Sequence, residues 1–179
     1  MQHFIKALGL TTVLLASSAY AETVAFPKTA ALTYSGNGGV TATMGFNRST
    51  SNYNINTTFK IPLYSMQFRS SGGMNGNTMV PSSYSDTRRG KLYAQAKFNH
   101  GSKTITYGKA GESKSAPMRG VPMDLFSLAW QLALNNGKVS GVSQFTNGKK
   151  VYNEATNIRA AGTQNVKFKG KPLSVNMYR

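Results

Sequence analysis

Five carboxylates and two histidines are the entire acid–base stock of this 179-residue chain. Glu22, Asp86, Glu112, Asp124 and Glu154 are scattered singly, whereas glycoside hydrolysis needs two facing carboxylates. A Ser-His-Asp arrangement would have to recruit His100, which falls on a predicted hairpin tip. No HExxH or paired-histidine spacing offers a zinc site. The lack of cysteine removes thiolate ligands, thiol nucleophiles and disulfides together. There is no GxxxxGK phosphate loop, and the glycine-rich stretches lack the strand-to-helix context of a dinucleotide site. Serine and lysine are so abundant that a Ser/Lys pair carries no information. The expectation is a protein that is no enzyme and needs no cofactor.

Positive charge is what the composition supplies: 21 Lys+Arg against 5 Asp+Glu, a formal net charge of +16. Such an excess concentrates anionic partners and speeds encounter with them. The basic residues gather as Arg88-Arg89-Gly90-Lys91, as Lys149-Lys150 and as Lys167, Lys169 and Lys171. On a strand the last three share one face, with Val166 and Phe168 predicted to turn inward. Such a stripe either binds anions or guards a sheet edge against aggregation.

The N-terminus redirects the choice of partner. Lys6, the apolar run from Ala7 to Ser17 and the small-x-small pattern Ala19-Tyr20-Ala21 read as a secretory signal cleaved before Glu22. The run is shorter than the roughly 20 residues that span a bilayer, and no second long apolar segment follows. The expected product is periplasmic and not membrane-spanning, with residues 1–21 removed and 22–179 forming a single β-rich domain. Its expected partners are an anionic envelope lipid or glycan, or an acidic protein. Charge alone would also suit nucleic acid, but export argues against a specific nucleic-acid role.

These residues must be positioned by strands. Apolar alternation with period two runs through Val40, Ala42, Met44 and Phe46, then Tyr53, Ile55, Thr57 and Phe59, then Tyr64, Met66 and Phe68. It resumes at Leu92, Ala94, Ala96 and Phe98, and Asn99-His100-Gly101 turns the chain toward Ile105 and Tyr107. Further turns are signalled at Asn37-Gly38-Gly39, Gly72-Gly73, Gly76-Asn77, Asn147-Gly148 and Lys169-Gly170. Pro81-Ser82-Ser83-Tyr84 reads as a loop entering a strand. The fold class is mainly β: a curved antiparallel sheet or partly open β-barrel with one apolar helix packed on it.

That helix is predicted over Asp124 to Asn136, capped by Asp124 and stopped by Asn136-Gly137. Leu125, Leu128, Ala129 and Leu132 form one face, widened by Phe126, Trp130, Ala133 and Leu134; Ser127, Gln131 and Asn135 make a polar stripe. A helix so apolar has to be enclosed. Its large side chains, Phe126 and Trp130 among them, either form plain core or line a lipid-sized cavity.

The order of several short motifs resembles an exported bacterial family, domain-of-unknown-function family 3108. The motifs are Tyr34-Ser35-Gly36, Tyr53-Asn54-Ile55, the serine/glycine-rich strand Ser70 to Gly73, Met79-Val80-Pro81 with Tyr84, and Met123-Asp124-Leu125-Phe126-Ser127-Leu128 with Leu132. They cover the chain from about residue 32 to its end. The chain departs from the pattern where Gln131-Leu132-Ala133 replaces a basic residue, and where no further strands follow Arg179. The resemblance implies a periplasmic antiparallel β-protein with a helix against a curved sheet, lipoprotein-carrier-like by analogy of fold. It supplies no catalytic residues. The leading expectation is chaperone-like binding of an amphipathic anionic envelope component, its apolar part held near Phe126 and Trp130. Arg88, Arg89 and Lys91, or Lys167, Lys169 and Lys171, would meet its charge. The alternative is a module that docks on an acidic protein or glycan through its basic strands.

Overall fold

The computed structural model describes residues 27–135, 137, 142–153 and 158–178. The proposed signal, its cleavage point at Ala21, and Glu22, Asn136, Glu154 and Arg179 lie outside them. Eight strands follow one another in strict neighbour order: β1 (Thr29–Ser35), β2 (Thr41–Arg48), β3 (Asn52–Ile61), β4 (Tyr64–Asn75), β5 (Thr78–Arg88), β6 (Lys91–Asn99), β7 (Thr104–Lys109) and β8 (Lys114–Pro117). Every pairing in this sheet is antiparallel, and β1 and β8 remain its edges. The protein is thus mainly β, an open sheet with one helix packed on it.

A small second sheet departs from the all-antiparallel expectation. β9 (Val121–Asp124) pairs parallel with β10 (Val142–Thr146), and β11 (Val151–Tyr152) completes it. Parallel neighbours need a crossover, and the helix α1 (Leu125–Leu134) provides it. Phe126, Leu128 and Trp130 from α1, with Met123 and Val142, close over Phe46, Tyr53, Ile55, Met79, Tyr84, Ala96, Phe98 and Ile105 from the large sheet. A two-stranded ribbon, β12 (Ala160–Phe168) and β13 (Lys171–Tyr178), stands apart from both sheets.

Alternation places β2 and β3 as expected, with Ala42, Phe46, Tyr53, Ile55 and Thr57 buried. Four local expectations fail for identifiable reasons. Gly72-Gly73 is not a turn but part of β4, directly opposite Pro81 and Val80. A Cβ at Gly72 would run into the Val80 carbonyl and the Pro81 Cα, so glycine there permits close backbone approach. Pro81 correspondingly lies inside β5, where an extra residue, Ser82, bulges the ladder and spares the missing N–H. A second bulge inserts Tyr93 opposite the Asp86–Thr87 step and turns Leu92 to the solvent side. In β12, Val166 and Phe168 do not turn inward: they are 39% and 52% exposed, because no layer among the described residues covers them.

Candidate functional site

Asp124 fixes the helix. Its carboxylate accepts hydrogen bonds from the backbone N–H groups of Phe126 and Ser127, both at 3.0 Å, while Ser127 Oγ accepts the Asp124 N–H at 2.9 Å. This is a reciprocal capping box, with serine as the returning partner. The other carboxylate oxygen accepts from Ser70 Oγ in β4 at 2.6 Å. Because the Ser70 proton is committed there, the Tyr53 hydroxyl donates to Ser70 Oγ at 3.3 Å. Asp124 is fully buried, and burial pushes its carboxyl above the usual range against the hydrogen bonds that lower it. Burial, then the Asp124 charge, likewise raise the Tyr53 phenol. The arrangement anchors a helix N-terminus; no nucleophile and base face a cleft here.

The polar stripe of α1 turns inward instead of out. Gln131 accepts the Met79 N–H at 2.7 Å and donates to Asn77 O at 3.0 Å and to Asn135 Oδ1 at 3.1 Å. It bolts the last helical turn to the β4–β5 hairpin. With Ser127 and Gln131 facing the sheet, Leu125 and Ala129 are left exposed on the other side and Leu132 half-buried, while Leu128, itself buried in the core, reaches the border between the two. Together with Ala133, Gly137, Ile158, Asn176 and Tyr178, those residues line an open, predominantly apolar cleft of about 650 Å³ between α1 and β13. Gly137 has φ +81, and a Cβ there would meet the Tyr178 hydroxyl, so glycine lets the ribbon close one end of the cleft.

Phe126 and Trp130 turn away from this cleft into the core. Trp130 stacks on Phe46 at 4.0 Å between ring centroids, and Phe126 packs at 5.2 Å from Phe68 and 6.5 Å from Tyr84. The basic candidates do not converge on the cleft. Arg88 is held by Asp86, with 2.9 Å between Nη2 and Oδ2, and its guanidinium lies 3.6 Å over the Tyr93 ring. Arg89 lies 5.0 Å over Tyr64, and Lys91 is exposed across the turn. Gln131 holds the opposite end of β5, roughly 30 Å away at the rise of an extended strand. Lys167, Lys169 and Lys171 surround the tip of the ribbon, where Lys169 has φ +50. Lys149 approaches Tyr93 at 5.7 Å from the ring, joining the Arg88 end of the molecule.

Ile158, Asn176 and Tyr178 had no signal in the sequence, because they reach the cleft from segments far downstream of α1. The helix side was readable: Leu125, Ala129 and Ala133 recur at a spacing of four, and Leu128 and Leu132 flank them. No protein-family profile, curated protein or solved structure matches the chain.

Proposed function

We propose that the protein is a non-enzymatic, chaperone-like binding protein of the bacterial periplasm, and that it holds an amphipathic anion by its apolar part in the cleft between α1 and β13. The cleft carries this reading. Its volume lies in the range of small-molecule sites, and among the described residues its walls are mostly leucine, alanine and isoleucine, with the Asn176 amide and the Tyr178 hydroxyl as polar side-chain groups. Leu125 remains 45% exposed beside it, an apolar surface that a ligand would cover. The net charge of +16 favours an anionic occupant. The secretory signal and the resemblance to domain-of-unknown-function family 3108 support the periplasmic setting.

Native mass spectrometry on protein purified without detergent tests this directly, followed by solvent extraction. The expected result is a stoichiometric lipid-like mass. Ala129 and Ala133 are exposed and line the cleft without entering the core, so Ala129→Trp and Ala133→Trp should fill it and abolish the adduct while melting within a few degrees of wild type. An apo mass for both wild type and variants would sink the carrier reading. It would favour the alternative, docking on an acidic protein or glycan, for which the exposed Phe168 and the lysines of the ribbon tip are the specific observation.

A further inference from the structure

The turns at the Arg88 end of the large sheet carry a pairing of features that the cleft does not explain. Pro62 and Leu63 are the central residues of the two-residue β3–β4 hairpin, and Leu63 has φ +64. That position in a proline-led turn ordinarily goes to glycine or asparagine. Leucine there is strained, and its side chain is 98% exposed. Ile61 and Leu92, in the same hairpin and the neighbouring one, are also exposed. The three tips are in contact. A Cβ at Gly39 of the β1–β2 turn would lie 3.8 Å from Pro62 Cγ, and the Arg89 N–H donates to Ser65 O at 3.0 Å. Around the apolar knob stand Lys60, Arg89 and Lys91, all exposed, and no acid occurs in any of the three turns. Asp86, the nearest carboxylate along β5, is buried and already paired with Arg88.

We infer that this end docks on an anionic phospholipid bilayer, with Leu63 inserting between headgroups and Lys60, Arg89 and Lys91 meeting the lipid phosphates. An apolar protrusion ringed by flexible cationic stems is the arrangement that buries hydrocarbon at the interface while its charges stay at headgroup level. None of these residues lines the cleft, so the inference is independent of what the cleft holds.

The test is flotation of the full protein with phosphatidylethanolamine/phosphatidylglycerol (3:1) vesicles and with pure phosphatidylcholine vesicles at 0.1 M salt. Wild type should float with the first and not the second. Leu63→Asn should lower partitioning on the order of tenfold, as expected for losing a partly buried leucine. Arg89→Asn with Lys91→Gln should lower it about thirtyfold. Asparagine suits positive φ, so Leu63→Asn should melt at or above the wild-type temperature, which separates lost docking from lost folding. Equal partitioning of wild type and Leu63→Asn overturns the inference. So does binding to dextran sulfate with no vesicle binding, which would assign the surface to a glycan. A concentration-dependent dimer abolished by Leu63→Asn would also overturn it, by assigning the knob to a second copy of the chain.

Discussion

Asp124 concentrates several demands in one side chain: it caps α1, ties that cap to β4 through Ser70, and is buried with no cation among its hydrogen-bond partners. Its acidity sets the sign of a pH effect. The folded carboxyl titrates above its unfolded value of 3.8, so between the two values the native state holds a proton that the unfolded chain has released. Stability is therefore greatest below about pH 4 for this group. It falls as pH rises through the folded value and is level thereafter. Asp124→Asn retains an oxygen for the cap and can donate to Ser70 Oγ, so its melting temperature should lack this contribution to the pH dependence. Asp124→Ala should lose roughly 2–4 kcal/mol in denaturant unfolding, the sum of a lost cap and an unsatisfied buried Ser70. The cap was legible, since aspartate stands immediately before an apolar run. The Ser70 and Tyr53 partners were not, because nothing in local sequence connects positions 54 and 71 residues apart.

Helix α1 shows how a periodic pattern can be read correctly and yet leave its orientation open. Spacing identifies the faces, but a polar stripe usually marks solvent, and here Ser127 and Gln131 are buried. What reverses the expectation is the supply of backbone partners at the β4–β5 hairpin, the Met79 N–H and the Asn77 carbonyl, with Asn135 Oδ1 of the helix taking the second amide proton of Gln131. Gln131→Ala should cost about 2–3 kcal/mol in chemical denaturation, chiefly by leaving the buried Met79 N–H without an acceptor. Gln131→Glu should cost at least as much, because one carboxylate oxygen would face the Asn77 carbonyl it cannot donate to. Strands were more legible than the helix orientation, since alternation directly names the inward face. Two of their failures lie at Pro81 and Leu92, where a bulge shifts the register by one residue and one-residue shifts change sides.

At the scale of the molecule, one face of the large sheet is covered by α1 and by the β9–β11 sheet, whose turn is tied to β7 by the Gly108 N–H donating to Gly148 O at 2.8 Å. The ribbon β12–β13 has no such cover among the described residues. Two-stranded ribbons are marginal alone, so amide hydrogen exchange in β12 and β13 should be orders of magnitude faster than in β3 to β6, where opening requires loss of the core. Comparable protection in both regions would mean that a partner or ligand holds the ribbon. This division into layers was not legible: alternation marks β12 as plainly as β3, and only the presence of a covering element distinguishes them.

The meander also has a consequence in time. Each of its eight strands pairs with the one made just before it, so hairpins can zip up in succession as the chain emerges from its N-terminus. The elements that cover Phe46, Tyr53, Ile55, Met79 and Tyr84 come only after residue 120. Until those later residues have folded, a sheet complete through β5 has its apolar face bare. During that interval the half-made protein is the aggregation-prone species, and the arrival of α1 ends it.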